Sequence, residues 1–213
     1  MAEASPAFDP DCRRCPRLAA HLEAVRRAFP GYHAAPVPPF GAARPRLLIV
    51  GLAPGMHGAN ATGRPFTGDF AGILLYRTLH EFGYASAARS RSGDDGLVLE
   101  GCRITNAVKC LPPQNRPSTA EVHTCNDFLR RELQEIGSGA VVLALGGIAH
   151  KAVLRALGER QSAWPFAHGV VHRIPGAPVL VDSYHCSRYN TQTGRLTPEM
   201  FRQVFHTIDD LLS

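Results

Sequence analysis

Four short apolar runs constrain the fold of this chain most strongly, because each is followed by a segment with apolar residues at helical spacing. The runs lie near residues 46–51, 102–108, 140–145 and 179–184. Their length and β-branched content favour buried strands. Strands that alternate with amphipathic helices form a parallel sheet covered on both faces. The sequence therefore predicts an α/β fold, a three-layer α/β/α sandwich around a central four-stranded parallel sheet.

The connections between these runs predict five longer helices. They start at about Cys15, Asp69, Ser118, Gly147 and Thr197, and several carry capping residues at the first turn. The remaining connections are expected to be a Pro-rich wrapping loop over 30–45, a polar exposed excursion over 85–101, and a loop over 158–178 with a short hairpin.

The segments that follow the four strands are expected to surround one cleft, because ligands of such sheets bind at the carboxyl ends of the strands. The first of these segments covers residues 51–69 and is a long connection rich in glycine. It can aim backbone N–H groups at a ligand, and it carries Phe66 and Asp69. A simpler interpretation is a plain connection with Asp69 as a helix N-cap. We favour a functional loop, because a structureless connection of this length inside a compact domain is usually functional.

The last strand is followed by a second distinctive segment, SYHCSRYNTQTGRLT, over residues 183–197. It places His185 at a strand end, with Ser187, Arg188 and Asn190 close behind. A single histidine at a strand end is more often structural than functional. Because the glycine-rich segment is expected to line the same cleft, we favour a functional role for His185.

Both segments resemble the active-site motifs of family 5 (UDGb-type) uracil-DNA glycosylases of bacteria and archaea. The resemblance implies a monofunctional hydrolase that cleaves the N-glycosidic bond of uracil in DNA, leaves an abasic site and initiates base-excision repair. It also implies activity on other deaminated bases such as hypoxanthine. Such an enzyme must extrude its target base from the duplex into a pocket. Two other interpretations are weaker: a non-catalytic Fe-S DNA-binding module, and a phosphate-binding loop over 51–58 that lacks the expected nucleotide-binding pattern.

The resemblance implies roles for particular residues. Asp69 would stabilise the sugar cation or orient water, His185 would stabilise the departing uracil anion, and Asn115 would hold water or a phosphate. Leu52 and Ala53 stand where other glycosylases place an acidic or amide side chain, which matches family 5. The expected base-binding residues are Gly51, Leu52, Ala53, Gly55, His57, Phe66 as the stacking ring, Asn106 and Asn190. The expected DNA-binding residues are Arg64, Arg116, Ser187 and Arg188, and an apolar wedge is expected near Tyr184 or Tyr189.

Four of the six cysteines have a telling spacing. Cys12 and Cys15 form a C-x-x-C pair, and Cys110 and Cys125 form a second, wider pair. Spacing alone fits either tetrahedral zinc or an iron-sulfur cluster. The resemblance implies a structural [4Fe-4S] cluster. The remaining Cys102 and Cys186 are expected to be small buried residues.

Length and composition set the broad class. The 213 residues, of which 45% are hydrophobic, are expected to form a single domain over 1–213, with a loose tail over 1–11 and an N-terminal helix and wrapping loop over 12–45. A net charge of +5 favours polyanionic partners such as DNA. Neither a signal peptide nor a membrane span is indicated. We expect a monomer in the cytoplasm of a bacterium or archaeon, associated with the nucleoid.

Overall fold

The computed structural model describes residues 8–213, which contain one six-stranded sheet. Its strands are β1 Phe40–Gly41, β2 Leu47–Gly51, β3 Cys102–Asn106, β4 Val141–Leu145, β5 Val171–His172 and β6 Val179–Ser183. Their spatial order is β1-β3-β2-β4-β6-β5. The four inner strands are parallel, as predicted, whereas the two-residue edge strands β1 and β5 are antiparallel to their neighbours. The short hairpin expected within 158–178 lies partly outside that range, because β5 pairs with β6 itself. β1 was not predicted, because two residues are too short to produce a periodic pattern.

Helices cover both faces of the sheet. They are α1 Pro16–Ala28, α2 Ala59–Thr62, α3 Phe70–Glu81, α4 Thr119–Ile136, α5 Gly147–Leu157, α6 Arg188–Gln192 and α7 Pro198–Leu212. The predicted start of α4 is a capping box, in which Ser118 and Glu121 bond each other's backbone N–H groups. The two short helices α2 and α6 lie within the two motif segments and were not predicted. Within residues 8–213, none of the helices is long and apolar enough to cross a membrane.

Two apolar clusters separate the three layers. Odd-numbered residues of β2, such as Ile49, pack with α3 and α7, whereas Leu48 and Val50 pack with α4 and α5. This alternation follows from the two-residue period of a strand. β2 and β4 are buried along their whole length, which explains why they read as continuous apolar runs. The predicted three-layer sandwich is confirmed.

Two segments differ from expectation. The excursion over 85–101 is anchored in the core: Ala85 and Leu99 form an antiparallel bridge, and Leu97 and Leu99 are buried. The N-terminal tail is packed from Phe8 onward, where its ring lies 6.4 Å from that of Phe128. Residues 1–7 of the predicted tail lie outside the described residues.

Candidate active site at the carboxyl edge of the sheet

The predicted cleft lies at the carboxyl ends of the parallel strands. β2 and β3 end in register, with Gly51 opposite Asn106, and β4 and β6 end with Leu145 opposite Ser183. The Ala107 N–H donates to the Gly51 carbonyl at 2.9 Å, so the connections after β2 and β3 start side by side. The cleft has a volume of about 390 Å³. It is lined by Leu52, Ala53, Gly55, Phe66, Asp69, Phe70, Ala71, Asn106, Asn115, His185, Ser187 and Arg188.

The carboxylate of Asp69 forms part of the cleft floor. Although Asp69 occupies the N-cap position of α3, its Oδ2 accepts a hydrogen bond from the Ala59 N–H at 3.1 Å. A β-carbon on Gly58 would lie 1.9 Å from Oδ1, and one on Gly55 would lie 2.3 Å from it. The glycines therefore leave the space that this carboxylate fills. Burial raises the pKa of Asp69, and the bond from Ala59 opposes that shift only in part.

The backbone of Phe66 is held in an unusual conformation. Its φ of 57° lies in the left-handed region, which a bulky residue rarely adopts. The Tyr76 hydroxyl donates to the adjacent Pro65 carbonyl at 2.7 Å. A β-carbon on Gly72 would lie 1.9 Å from the Phe66 carbonyl oxygen, so only glycine fits there. Such strain persists where the surroundings enforce it, and it is concentrated at functional sites.

The ring of Phe66 lies between two strand ends. Its Cζ atom would be 2.7 Å from a β-carbon on Gly51, and its centroid is 5.9 Å from that of His185, with the planes inclined by 28°. The ring thus forms an aromatic wall of the cleft beside the histidine.

His185 follows β6, and its backbone carbonyl is held by a residue of α6. The Asn190 amide donates to the His185 carbonyl at 2.8 Å, and Ser187 caps α6 by accepting from the Asn190 N–H. Burial lowers the pKa of His185 to about 4. The imidazole is therefore neutral at pH 7 and can act as a hydrogen-bond donor.

Asn106 is the last residue of β3, and only 3% of its surface is exposed. Its Oδ1 atom has no hydrogen-bond partner among residues 8–213. It would lie 2.4 Å from a β-carbon on Gly51, so this glycine admits the amide at the cleft. A buried acceptor without a partner is costly unless a ligand supplies the donor.

The rim of the cleft carries polar groups. Asn115 closes a 3-10 turn over Pro113–Asn115 with a φ of 55°, and its side chain is exposed. The guanidinium of Arg188 lies 5.0 Å from the centre of the Phe70 ring. Phe70 and Ala71 line the cleft although the sequence did not single them out. The only feature of the sequence that could have indicated them is their position directly after Asp69.

The expected role of Arg64 as a DNA-binding residue requires a correction, because its side chain is buried and does not line the cleft. Its guanidinium is buried and pairs with Asp95 at 2.5 Å, Ser90 Oγ at 3.0 Å and the Gly93 carbonyl at 2.6 Å. It also lies over the ring of Phe40. These groups bind both terminal nitrogens of the guanidinium and hold it against the segment that contains Asp95.

Three further residues occupy other positions than expected. His57 lies against the wrapping loop, with its Nδ1 2.8 Å from the Tyr32 hydroxyl. The Asn190 side-chain amide donates its hydrogen bond to the backbone carbonyl of His185 and does not line the cleft. Arg116 is exposed, and its carbonyl accepts a hydrogen bond from Arg17. Of the expected base-binding and DNA-binding residues, the cleft brings together Leu52, Ala53, Gly55, Phe66, Asn106, Ser187 and Arg188, with Gly51 directly behind Phe66 and Asn106.

The four paired cysteines meet around one small cavity on the side of α1. Cys15 precedes α1, Cys110 follows β3, and Cys125 lies in α4, where it accepts a hydrogen bond from the Lys109 N–H at 3.3 Å. Burial raises the pKa of Cys110 to about 12, and the neighbouring thiols add to the shift. A cluster that replaces the thiol protons would fit this donor set. Cys102 and Cys186 are fully buried elsewhere.

Comparison with known proteins agrees with this geometry. The model of the uracil DNA glycosylase superfamily matches residues 38–209. A type-5 uracil-DNA glycosylase of Thermus thermophilus is 51% identical over 198 residues, which cover 91% of this chain and 90% of the relative. A type-5 uracil-DNA glycosylase of Mycobacterium bovis is 45% identical over 91% of this chain and 75% of its own length. A type-4 uracil-DNA glycosylase of Pyrobaculum aerophilum is 37% identical over 70% of each chain. The chain therefore belongs to the uracil DNA glycosylase superfamily.

Proposed function

We propose that this protein hydrolyses the N-glycosidic bond between uracil and deoxyribose in DNA and leaves an abasic site, which initiates base-excision repair. The observation that carries the proposal is the convergence of Phe66, Asp69, Asn106 and His185 in one cleft. The names of the type-5 relatives agree with this activity.

Base recognition follows from the walls of the cleft. A base extruded from the duplex stacks on the Phe66 ring. The unpaired Oδ1 of Asn106 then accepts the hydrogen bond that uracil offers from its N3–H group, which satisfies the buried acceptor. Because hypoxanthine presents an equivalent N–H group beside a carbonyl, the proposal extends to this base and to other deaminated bases.

Departure of the base places negative charge on uracil. The neutral imidazole of His185 donates a hydrogen bond to this developing anion, and backbone N–H groups of residues 52–55 assist. Removal of one donor of this kind costs about 3 kcal/mol, or about 10² to 10³ in rate.

The sugar carries the matching positive charge. The Asp69 carboxylate stabilises this cation and holds the attacking water, while Asn115 at the rim positions water or a phosphate. Gly55 and Gly58 leave the space that this carboxylate occupies, because neither carries a side chain.

The protein must also fill the gap that the extruded base leaves. Tyr189 has 70% of its surface exposed, at the start of α6 beside the cleft. Tyr184, in contrast, stacks on His168 at 4.9 Å and lies under Arg195. Tyr189 is therefore the better candidate for the wedge.

The cysteine cavity would hold a [4Fe-4S] cluster, with Cys12, Cys15, Cys110 and Cys125 as ligands. When bound, the cluster supplies a rigid cross-link, and hydrolysis needs no redox step. These cysteines would tie α1 to the connection after β3 and to α4, beside the active site. We also propose that the protein acts as a monomer.

The test is strand scission by alkali after incubation with a labelled duplex that carries one uracil opposite guanine. Wild type should produce a cleavable site, and Asp69→Asn and His185→Ala should each lower the rate at least a hundredfold. A wild type that binds DNA but leaves every deaminated base in place would contradict the proposal and favour a non-catalytic DNA-binding module. A set of duplexes with one lesion each tests the breadth, and activity on uracil alone would contradict the extension to other bases.

A further inference from the structure

A second cavity, of about 530 Å³, adjoins the catalytic cleft. The two cavities share Phe66, Asp69, Phe70 and Arg188, so they form one continuous groove. The far wall of the second cavity is formed by Arg89, Ser90 and Arg91. The catalytic chemistry described above uses none of these three residues.

The far wall belongs to the segment 85–101, which we call the arginine arm. The arm is anchored at both ends by the bridge between Ala85 and Leu99, and Leu97 is buried in the core. Its backbone near Arg91 is fixed by Asp95, whose Oδ2 accepts from the Arg91 N–H at 2.7 Å. The arm is thus an ordered part of the groove, held by backbone pairing, buried leucines and hydrogen bonds.

Buried Arg64 connects the arm to the first motif. Its guanidinium bonds Asp95, Ser90 and the Gly93 carbonyl. The hydroxyls of Ser90 and Thr67 lie 2.7 Å apart, which adds a second link close to Phe66. These hydrogen bonds from Arg64 and Thr67 fix the position of the arm relative to Phe66 and Asp69.

The side chains on either side of Ser90 are exposed arginines. Both Arg89 and Arg91 line the second cavity. Among the described residues that line this second cavity, Asp69 alone carries a carboxylate, and three are arginines. Positive side chains therefore outnumber negative ones in the lining of the second cavity.

We propose that this groove binds the lesion-containing strand next to the extruded nucleotide, and that Arg89 and Arg91 bind backbone phosphates of that strand. The inference rests on the proposed function, because it places the DNA by the base that enters the catalytic cleft. Arginine matches the geometry of phosphate oxygens and contributes affinity that does not depend on sequence.

Salt dependence of binding tests the proposal. The probe is a duplex with an uncleavable abasic-site analogue, and its dissociation constant is measured by fluorescence anisotropy over a range of NaCl concentrations. Each phosphate contact contributes about 0.9 to the slope of log affinity against log salt. The double variant Arg89→Ala/Arg91→Ala should therefore lower the slope by about 1.8. The charge-matched control Arg155→Ala/Arg160→Ala changes exposed arginines in and after the last turn of α5, and should leave the slope unchanged.

Single neutral phosphates locate the contacts. Methylphosphonate substitution at the contacted positions should weaken binding by wild type and have no further effect on the Arg89→Ala/Arg91→Ala variant. Uracil excision is measured in the same preparations, at saturating DNA. If wild type excises uracil and the double variant has the slope of the control, the groove does not bind the backbone and the inference is wrong. If wild type excises no uracil, the proposed function itself fails.

Discussion

Gly58 and Asp69 are in such close contact that a β-carbon on Gly58 would lie 1.9 Å from Oδ1 of Asp69. Atoms without a bond between them do not approach so closely. Any side chain at position 58 must therefore displace the carboxylate of Asp69, for which we propose a catalytic role.

Gly58→Ala should therefore act as a catalytic variant, although it removes no reactive group. A displacement of about 1 Å can cost about 10² in rate. We expect a loss of that size in the single-turnover rate of uracil excision. The control is Gly31→Ala, because a β-carbon there meets nothing within 4 Å. Equal rates for the two variants would show that the carboxylate does not need its present position.

The pH profile of excision should have an acid limb that belongs to Asp69. Burial raises the pKa of Asp69 above its ordinary value, so the ionised, active form is lost as the pH falls through that raised pKa. His185 stays neutral until about pH 4, because burial lowers its pKa. The rate should thus be flat near neutral pH and fall in acid, and Asp69→Asn should lose the limb along with most of the activity. A rate that rises as the pH falls through 6.5 would instead indicate a catalytic imidazolium.

Arg64→Ala should destabilise the protein. The substitution removes the charged hydrogen bonds of a buried guanidinium, while Asp95 keeps its bonds from the N–H groups of Arg91, Ser92 and Leu97, so the expected cost is about 1.5 to 3 kcal/mol. Urea denaturation measures the free energy of unfolding, and exposed Arg44 provides the matched control variant Arg44→Ala. The double variant Arg64→Ala/Asp95→Ala should recover part of the loss, and its failure to do so would mean that the pair does not act as a unit.

Cys110→Ser should remove the iron of the purified protein, whereas Cys102→Ser should retain it. Cys110 lies at the cavity with the other paired cysteines, and Cys102 is buried in β3. Iron and acid-labile sulfide per chain, together with visible absorption, measure the cluster. Zinc in place of iron in the wild type would contradict the cluster and leave the four-thiolate site intact.

Tyr189→Ala should impair excision from duplex DNA more than from single-stranded DNA. A wedge stabilises the extruded state only where a base stack must be filled. The ratio of the two single-turnover rates is the measurement, with Tyr189→Phe as the control that retains the ring. An equal loss on both substrates would assign Tyr189 to general DNA contact.

The sequence predicted the parallel sheet because β2 and β4 are buried on both faces, which leaves an unmistakable apolar run. It did not predict α2 or α6, because glycine, asparagine and threonine mask short helices inside functional loops. The core anchors of the arginine arm were also missed, because two buried leucines stand among polar residues.

Prediction of the site failed where long-range pairing decided the outcome. Arg64 looks like a DNA contact in the sequence, but its partner Asp95 lies 31 positions away and removes it from the surface. His57 similarly finds Tyr32 on the wrapping loop. Phe66, Asp69 and His185 were placed correctly in the cleft, because strand ends fix the position of the residues that follow them.

The separate origins of the cleft residues have a consequence for the evolution of this protein. Phe66 and Asp69 come from the connection after β2, Asn106 ends β3, and His185 follows β6. Under the proposed function, a substitution at position 106 would act on base recognition, while the groups proposed to break the bond lie on other connections. Base recognition and bond cleavage would therefore be open to change at separate positions of the chain.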